Sequence, residues 1–142
     1  MIEIKNLTKI FTGKQGEFVA LDNVNVTIED GDVYGVIGTS GAGKSTLVRC
    51  INLLEKPTSG EILIDGVNLL TADKNTLREM RRKVSMIFQQ FNLLQQRSVL
   101  KNVELAGEIS NDKERREKAI KLLNTVGLGD KINSYPAELS GG

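Results

Sequence analysis

The sequence predicts an α/β fold of the P-loop type: a mixed β-sheet carrying a phosphate loop, followed by a helical subdomain. Three adjoining features predict it. Val33-Tyr34-Gly35-Val36-Ile37 is an apolar run with no polar face, as expected of a strand covered on both sides. Gly38-Thr39-Ser40-Gly41-Ala42-Gly43-Lys44-Ser45 follows at once and has the spacing Gly, any four residues, Gly, Lys, Ser or Thr. Leu47, Val48, Ile51 and Leu54 then recur at helical spacing. Strand, glycine loop and helix thus come in the order that a phosphate loop requires.

The flanking elements follow from local pattern. Ile2, Ile4 and Leu7 mark an opening strand, and Val24, Val26 and Ile28 alternate with polar residues as in a half-buried strand. Asp30-Gly31-Asp32 turns the chain. The first helix, 44–54, ends at Pro57 and Gly60, with Cys50 as a small packing residue on it. Residues 61–64 and 67–69 flank Asp65-Gly66, a hairpin signal. Residues 76–83 form a polar, basic helix and 84–88 a second buried strand. Beyond Gln89, 99–109 and 113–126 read as helices, the second with Ala119, Leu122, Leu123 and Val126 on one face. Asn111 or Asp112 can cap its start and Gly127 its end. Residues 128–142 read as loop up to Ser140. The layout is one incomplete domain, 1–142, with a β-subdomain and phosphate-loop core over 1–89 and a helical subdomain over 90–142.

Composition narrows the chemistry. Nineteen Lys and Arg against 18 Asp and Glu give a net charge of +1, so no whole-chain field attracts nucleic acid. A hydrophobic share of 39% with 26% charged residues suits a globular chain, and the apolar runs are too short to span a bilayer. Met1-Ile-Glu-Ile-Lys5 has an acid where a signal peptide needs basic residues, which predicts a cytoplasmic protein. One cysteine and no histidine exclude an internal disulfide and an imidazole acid–base group. Chemistry then rests on phosphate handling or carboxylates.

In the glycine loop, successive backbone N–H groups of Gly38, Thr39, Ser40, Gly41, Ala42 and Gly43 can point at phosphate oxygens, and the helix beginning near Lys44 adds its positive end. Lys44 is expected at the β and γ phosphates, the Ser45 hydroxyl on Mg²⁺, and Thr46 near the α phosphate. ATP with Mg²⁺ is the expected ligand. The loop alone does not separate transport ATPases from GTPases, nucleoside kinases or helicases.

Leu139-Ser140-Gly141-Gly142, about 100 residues downstream, resembles the start of the Leu-Ser-Gly-Gly-Gln signature of the ABC ATPase family. The resemblance implies a head-to-tail homodimer in which each ATP lies between one subunit's phosphate loop and the partner's signature. Ile87-Phe88-Gln89 is similar to the family's glutamine loop, which implies that Gln89 offers its side-chain oxygen to Mg²⁺ or to the attacking water. Gln90 stands one position on, and Gln89 is preferred because it directly follows the apolar run. The stretch 89–94, with Phe91, Leu93 and Leu94, is then expected against a cytoplasmic helix of a membrane permease. Phe11, after Thr8-Lys9-Ile10, stands where the family places an aromatic on adenine, with Phe18 as competitor.

Almost the whole chain resembles the ATPase subunits of bacterial methionine importers. Tyr34-Gly-Val-Ile-Gly38, Ser40-Gly-Ala-Gly-Lys-Ser-Thr46, Asn52-Leu-Leu-Glu55, Met86-Ile-Phe-Gln89, Phe91-Asn-Leu-Leu94 and Tyr135-Pro136 carry that likeness, while Gln90 departs from the group's usual histidine. It implies a peripheral subunit on the cytoplasmic face of the membrane, permease partners, a substrate-binding protein met indirectly, and no nucleic acid. Complete members continue into a carboxylate-bearing strand and a switch histidine. No catalytic residue is therefore expected within 1–142, and this length of chain alone is expected to be inactive, with the apolar faces of 33–37 and 84–88 uncovered. The alternatives are a nucleotide-binding fragment without turnover, an ATPase for another amino acid, and an ABC-type ATPase of translation or DNA repair.

Overall fold

The structure, a computed structural model, describes residues 1–14 and 16–139. It divides between Met86 and Ile87 into two compact units, taken here one at a time.

The first unit is built on β1 (Ile2–Gly13), which pairs antiparallel with β2 (Gly16–Ile28) on one side and with β3 (Ser59–Ile64) on the other. A short β4 (Val67–Asn68) completes the order β2-β1-β3-β4. Ile4 and Leu7 are both buried in one core, although strict alternation would send residues three apart to opposite faces. A register irregularity between them, with Asn6 at φ 50°, turns Leu7 inward. Asp65 (φ 51°) and Gly66 (φ 77°) both take the left-handed conformation that a two-residue hairpin needs, so the expected turn forms.

The helix after the glycine loop, α1 (Lys44–Ile51), lays Leu47 and Cys50 on the sheet core. Cys50 has no exposed surface, and burial pushes its thiol up, which leaves it an unreactive packing group. Val48 and Leu54, expected on the same face, are exposed. Val48 lies a full helical step from Leu47, and the helix stops at Ile51 before Leu54 can join the stripe. The next helix, α2 (Lys74–Lys83), starts where the Asp73 carboxylate accepts from the N–H groups of Asn75 (2.8 Å) and Thr76 (3.1 Å) and from the Thr76 hydroxyl (2.7 Å). Its Leu77 and Met80 pack on the core.

Two sequence expectations are corrected here. Residues 33–37 and 84–88 are not strands, and Val33, Ile37 and Ile87 are almost fully exposed. An apolar run becomes a buried strand only when neighbours supply ladder partners and cover both faces. Among the described residues every strand pairing is antiparallel and belongs to β1–β4, so neither run has a partner.

The second unit packs α3 (Val99–Ile109) on α4 (Arg115–Thr125) around Val99, Leu100, Ala119 and Leu123. Leu122 and Val126, expected on the inner face of α4, are exposed. Gly107 allows the two helices to turn closely, since a Cβ there would fall 2.3 Å from that of Arg115. Neither candidate cap holds the start of α4: its N-cap is Glu114, with no side-chain cap hydrogen bond, and Asp112 orders the turn ahead of it, its carboxylate accepting from the Glu114 N–H (2.9 Å) and from Lys118 Nζ (2.8 Å). Asn111 instead takes φ 57° in the turn, and Gly127 (φ 74°) follows the helix end as expected. The expected loop after residue 128 contains two short 3-10 turns, Gly129–Lys131 and Pro136–Glu138. Among the described residues no helix is long and apolar enough to cross a membrane.

Glu104 is 2% exposed, and its carboxylate meets Lys101 Nζ at 2.6 Å and Arg116 Nη1 at 3.5 Å. Both cations are half or more exposed, so the pair is asymmetric. Removing the carboxylate returns two cations to water, whereas removing the cations strands a buried charge. Urea unfolding should therefore show Lys101→Met with Arg116→Met losing about 3 kcal/mol and Glu104→Gln only about 1 kcal/mol; the reverse order would refute the asymmetry. The Asp73 cap predicts a pH effect. Its hydrogen bonds with Thr76 and Asn75 hold the carboxyl below the usual Asp range. The stabilisation of α2 is present at neutral pH and is lost as the pH falls through that lowered value. Amide exchange at Asn75 and Thr76 should accelerate there in the parent and be fast at every pH in Asp73→Ala.

Candidate nucleotide-binding site

The glycine loop joins the uncovered run 33–37 to α1. Gly41 (φ 82°) and Gly43 (φ 83°) adopt conformations that side-chain-bearing residues rarely reach. Gly43 caps α1, and its carbonyl accepts from the Leu47 N–H at 2.9 Å. A Cβ on Gly43 would lie 2.3 Å from the Ala20 carbonyl oxygen and 3.1 Å from Leu21 Cδ2. The loop therefore rests directly on the β2 backbone.

Lys44 is half-buried and folds back over the loop, donating from Nζ to the carbonyls of Gly38 (2.7 Å) and Thr39 (2.6 Å). The loop closes on itself through Ala42 N–H to Thr39 O at 3.3 Å. Gly38, Thr39, Ser40, Gly41, Ala42 and Ser45 are exposed, and Thr46 is half-buried. One cation held over outward-facing loop backbone at a helix start can receive a polyphosphate. Among the described residues no group of three or more His, Cys, Asp or Glu converges. The exposed Ser45, next to Lys44 at the start of α1, is a protein oxygen that would fit a phosphate-bound Mg²⁺, an ion that keeps most of its waters.

Leu21, which borders Gly43, pairs across the ladder with Lys9, and two rungs further Phe18 pairs with Phe11. Both rings line an open cavity of about 400 Å³ at the hairpin tip with Thr12, Gly13, Lys14 and Gly16. The two candidate aromatics are thus direct cross-strand neighbours. Lys9 distinguishes them: its Nζ lies 4.7 Å from the Phe11 ring centroid, and it is tied to Glu55 (2.6 Å) and the Lys56 carbonyl (2.8 Å). Phe11 is 38% exposed and Phe18 59%, so Phe11 is the better-held ring. Lys9 belongs to none of the sequence motifs, and its spacing of two from Phe11 along a strand is the signal in the sequence that points to it.

The first unit brings Phe11 and the phosphate loop together, and the second carries the exposed Gln89 and the half-buried Leu139, which packs on that unit's core. Ser140, Gly141 and Gly142 of the expected signature lie outside the described residues. The Gly43 contact is testable. Gly43→Ala combines a left-handed φ with a clash against backbone, whereas Gly31→Ala (φ 84°) meets open space. Thermal or urea unfolding should show Gly43→Ala losing clearly more than the roughly 1 kcal/mol expected of Gly31→Ala; equal losses would show that the loop does not rest on β2.

The ABC transporter family profile matches residues 21–142. The methionine import ATP-binding protein MetN 1 of Oenococcus oeni is 49% identical over 144 residues, which cover all of this chain and 41% of that protein. The corresponding MetN of Vibrio vulnificus is 53% identical and that of Escherichia coli K12 is 50%, each over all of this chain and 42% of theirs. The chain thus spans about two fifths of the length of these relatives. Among solved structures, a dimeric ATP-binding cassette in a post-hydrolysis state with ADP and Pi superposes with a TM-score of 0.87 at 37% identity, over 99% of this chain and 64% of that one. A dimeric bacterial ABC transporter cassette matches equally, with a TM-score of 0.87 at 38% identity and the same coverage. With a phosphate loop set between sheet and helix, and these likenesses along its whole length, the chain belongs to the ABC transporter family and has the fold of its ATP-binding cassettes.

Proposed function

We propose that these residues form the phosphate-binding and helical portions of the ATP-binding subunit of a methionine importer, in which ATP hydrolysis by the complete polypeptide drives uptake. The observation that carries the ATP reading is Lys44 held across a glycine loop at the start of α1. The relatives' description as methionine import proteins supports the substrate. Gln90, in place of the usual histidine, favours one second reading, an ABC importer of another amino acid.

Binding of ATP draws the Lys44 ammonium from the Gly38 and Thr39 carbonyls to the β and γ phosphates, an exchange of neutral acceptors for anionic ones. The loop N–H groups and the start of α1 complete the cradle. Phe11, steadied by Lys9, stacks on the base. Ser45 would hold Mg²⁺, which would supply neutralisation of phosphate charge, and Gln89 is the residue proposed to offer its side-chain oxygen to that ion or to the attacking water. Water activation is assigned to no residue of 1–142.

The proposed functional subdomains are 1–89 and 90–142, whereas the structural division falls between Met86 and Ile87. Leu139, Ser140, Gly141 and Gly142 meet the nucleotide of a second subunit packed head to tail, in line with the dimeric state of both similar cassettes. Phe91, Leu93 and Leu94 are exposed beside Gln89, and a permease helix is the partner proposed for them. The subunit then sits on the cytoplasmic face of the membrane and meets a substrate-binding protein only through the permease.

Lys44→Ala tests the ATP reading. Calorimetry with Mg²⁺ and a non-hydrolysable ATP analogue should show affinity falling by a factor on the order of 100, the worth of two charge-assisted hydrogen bonds. Equal binding by mutant and parent would overturn the assignment of the loop.

A further inference from the structure

Between Ile87 and Ser98 the chain forms neither helix nor strand. Phe91 is 70% exposed and Leu93 and Leu94 about two-fifths exposed, yet the far half of the segment is tightly held. Asn102, in the first turn of α3, accepts from the Leu94 N–H with Oδ1 at 2.8 Å. Its Nδ2 donates to the carbonyls of Leu94 (3.1 Å), Arg97 (3.0 Å) and Ser98 (3.1 Å). Both backbone groups of Leu94 are therefore read by one side chain, which fixes the peptide planes on either side of it and with them the direction of Leu93 and Leu94.

Other contacts reinforce the same turn. The Arg97 N–H donates to the Leu94 carbonyl at 3.0 Å, and the Arg97 guanidinium meets Glu108 at 2.8 Å. Upstream, Asn92 sits at φ 50°, a strained conformation for a residue with a side chain that persists when its surroundings hold it. The side-chain chemistry is specific. Aspartate keeps the acceptor but loses the donors and sets a charge against three carbonyls, and alanine loses both functions. Asparagine is an indifferent helix former, so its presence inside α3 reflects the contacts it makes.

We propose that Asn102 is the positioning residue for the apolar surface of Leu93 and Leu94, beside Phe91, holding 94–98 in the conformation that presents Leu93 and Leu94 to a cytoplasmic helix of the membrane permease. The inference rests on the importer reading above, and deepens it by naming what sets the shape of the docking surface.

The experiment uses the complete polypeptide that carries this sequence, with Asn102→Ala and Asn102→Asp, and has two arms. Amide exchange followed by mass spectrometry should show the amides of Leu94 and Arg97 exchanging about tenfold faster in Asn102→Ala, the loss of roughly one net hydrogen bond's protection. In Asn102→Asp the Leu94 amide keeps its acceptor and stays closer to the parent. Amides within α3 and α4 should not change in either. In the second arm, a cysteine placed at Asn92 is cross-linked to the permease in membranes, and the yield should fall in both variants.

Unchanged exchange at Leu94 and Arg97 in Asn102→Ala overturns the proposal. Faster exchange throughout α3 and α4 in both variants also overturns it, because Asn102 would then be a general stabiliser of the unit. Local release of 94–98 with an undiminished cross-link shows that the segment's conformation does not matter for docking, and overturns it as well. No cross-link in the parent defeats the permease reading itself and with it the docking role of Asn102, while the exchange arm still reports on whether Asn102 holds the turn.

Discussion

The contact of the Gly43 backbone with the Ala20 carbonyl is the constraint on which the first unit is organised. It exists because Gly43 has no Cβ: any other residue would bring an atom to 2.3 Å from that oxygen. The contact sets where α1 begins and so where its axis runs over the sheet. From that start, Leu47 and Cys50 fall three residues apart on the face that meets Ile4, Leu7 and Ile62. Lys44, the first residue of the helix, is carried to a position from which its long side chain spans the loop. A packing requirement between a glycine and a strand thus places the Lys44 ammonium over the glycine loop.

Burial and satisfaction of charge follow different rules in the two units. The first unit's core is purely apolar apart from Asn52, whose side chain meets the Met86 sulfur and the Leu54 N–H. The second unit buries a carboxylate, Glu104, and feeds it from two half-exposed cations whose stems lie on the surface. Its polar side chains also organise irregular backbone, as Asn102 does for 94–98 and Asp112 for the turn ahead of α4. Such side-chain-to-backbone bonds are the ordinary means of ordering a segment that makes no ladder or helix bonds of its own.

The uncovered run 33–37 has a different physical status from the exposed residues near Phe91. Both present apolar side chains, but among the described residues the backbone of 33–37 makes no ladder bonds. Exposed apolar backbone without ladder bonds calls for a further partner. The Phe91 segment has its backbone groups at Leu94 satisfied already and offers only side chains, which suits contact with a separate partner.

Features that depend on neighbours in the chain were legible in the sequence alone: the spacing of the glycine loop, the helix after it, the Asp65-Gly66 turn, the two helices of the second unit and the packing role of Cys50. Each is decided within a few residues, by a left-handed φ that glycine permits or by a repeat of three to four residues. The tertiary structure decided the rest. It turned Leu7 inward through a bulge, set Phe18 opposite Phe11 and put Lys9 beside the latter, began α4 at Glu114 rather than at Asn111 or Asp112, and left 33–37 and 84–88 without ladder partners among the described residues. Those outcomes depend on what lies across a ladder or against a face, and residues distant in sequence supply it; a five-residue apolar run can state that it must be covered, but not what covers it.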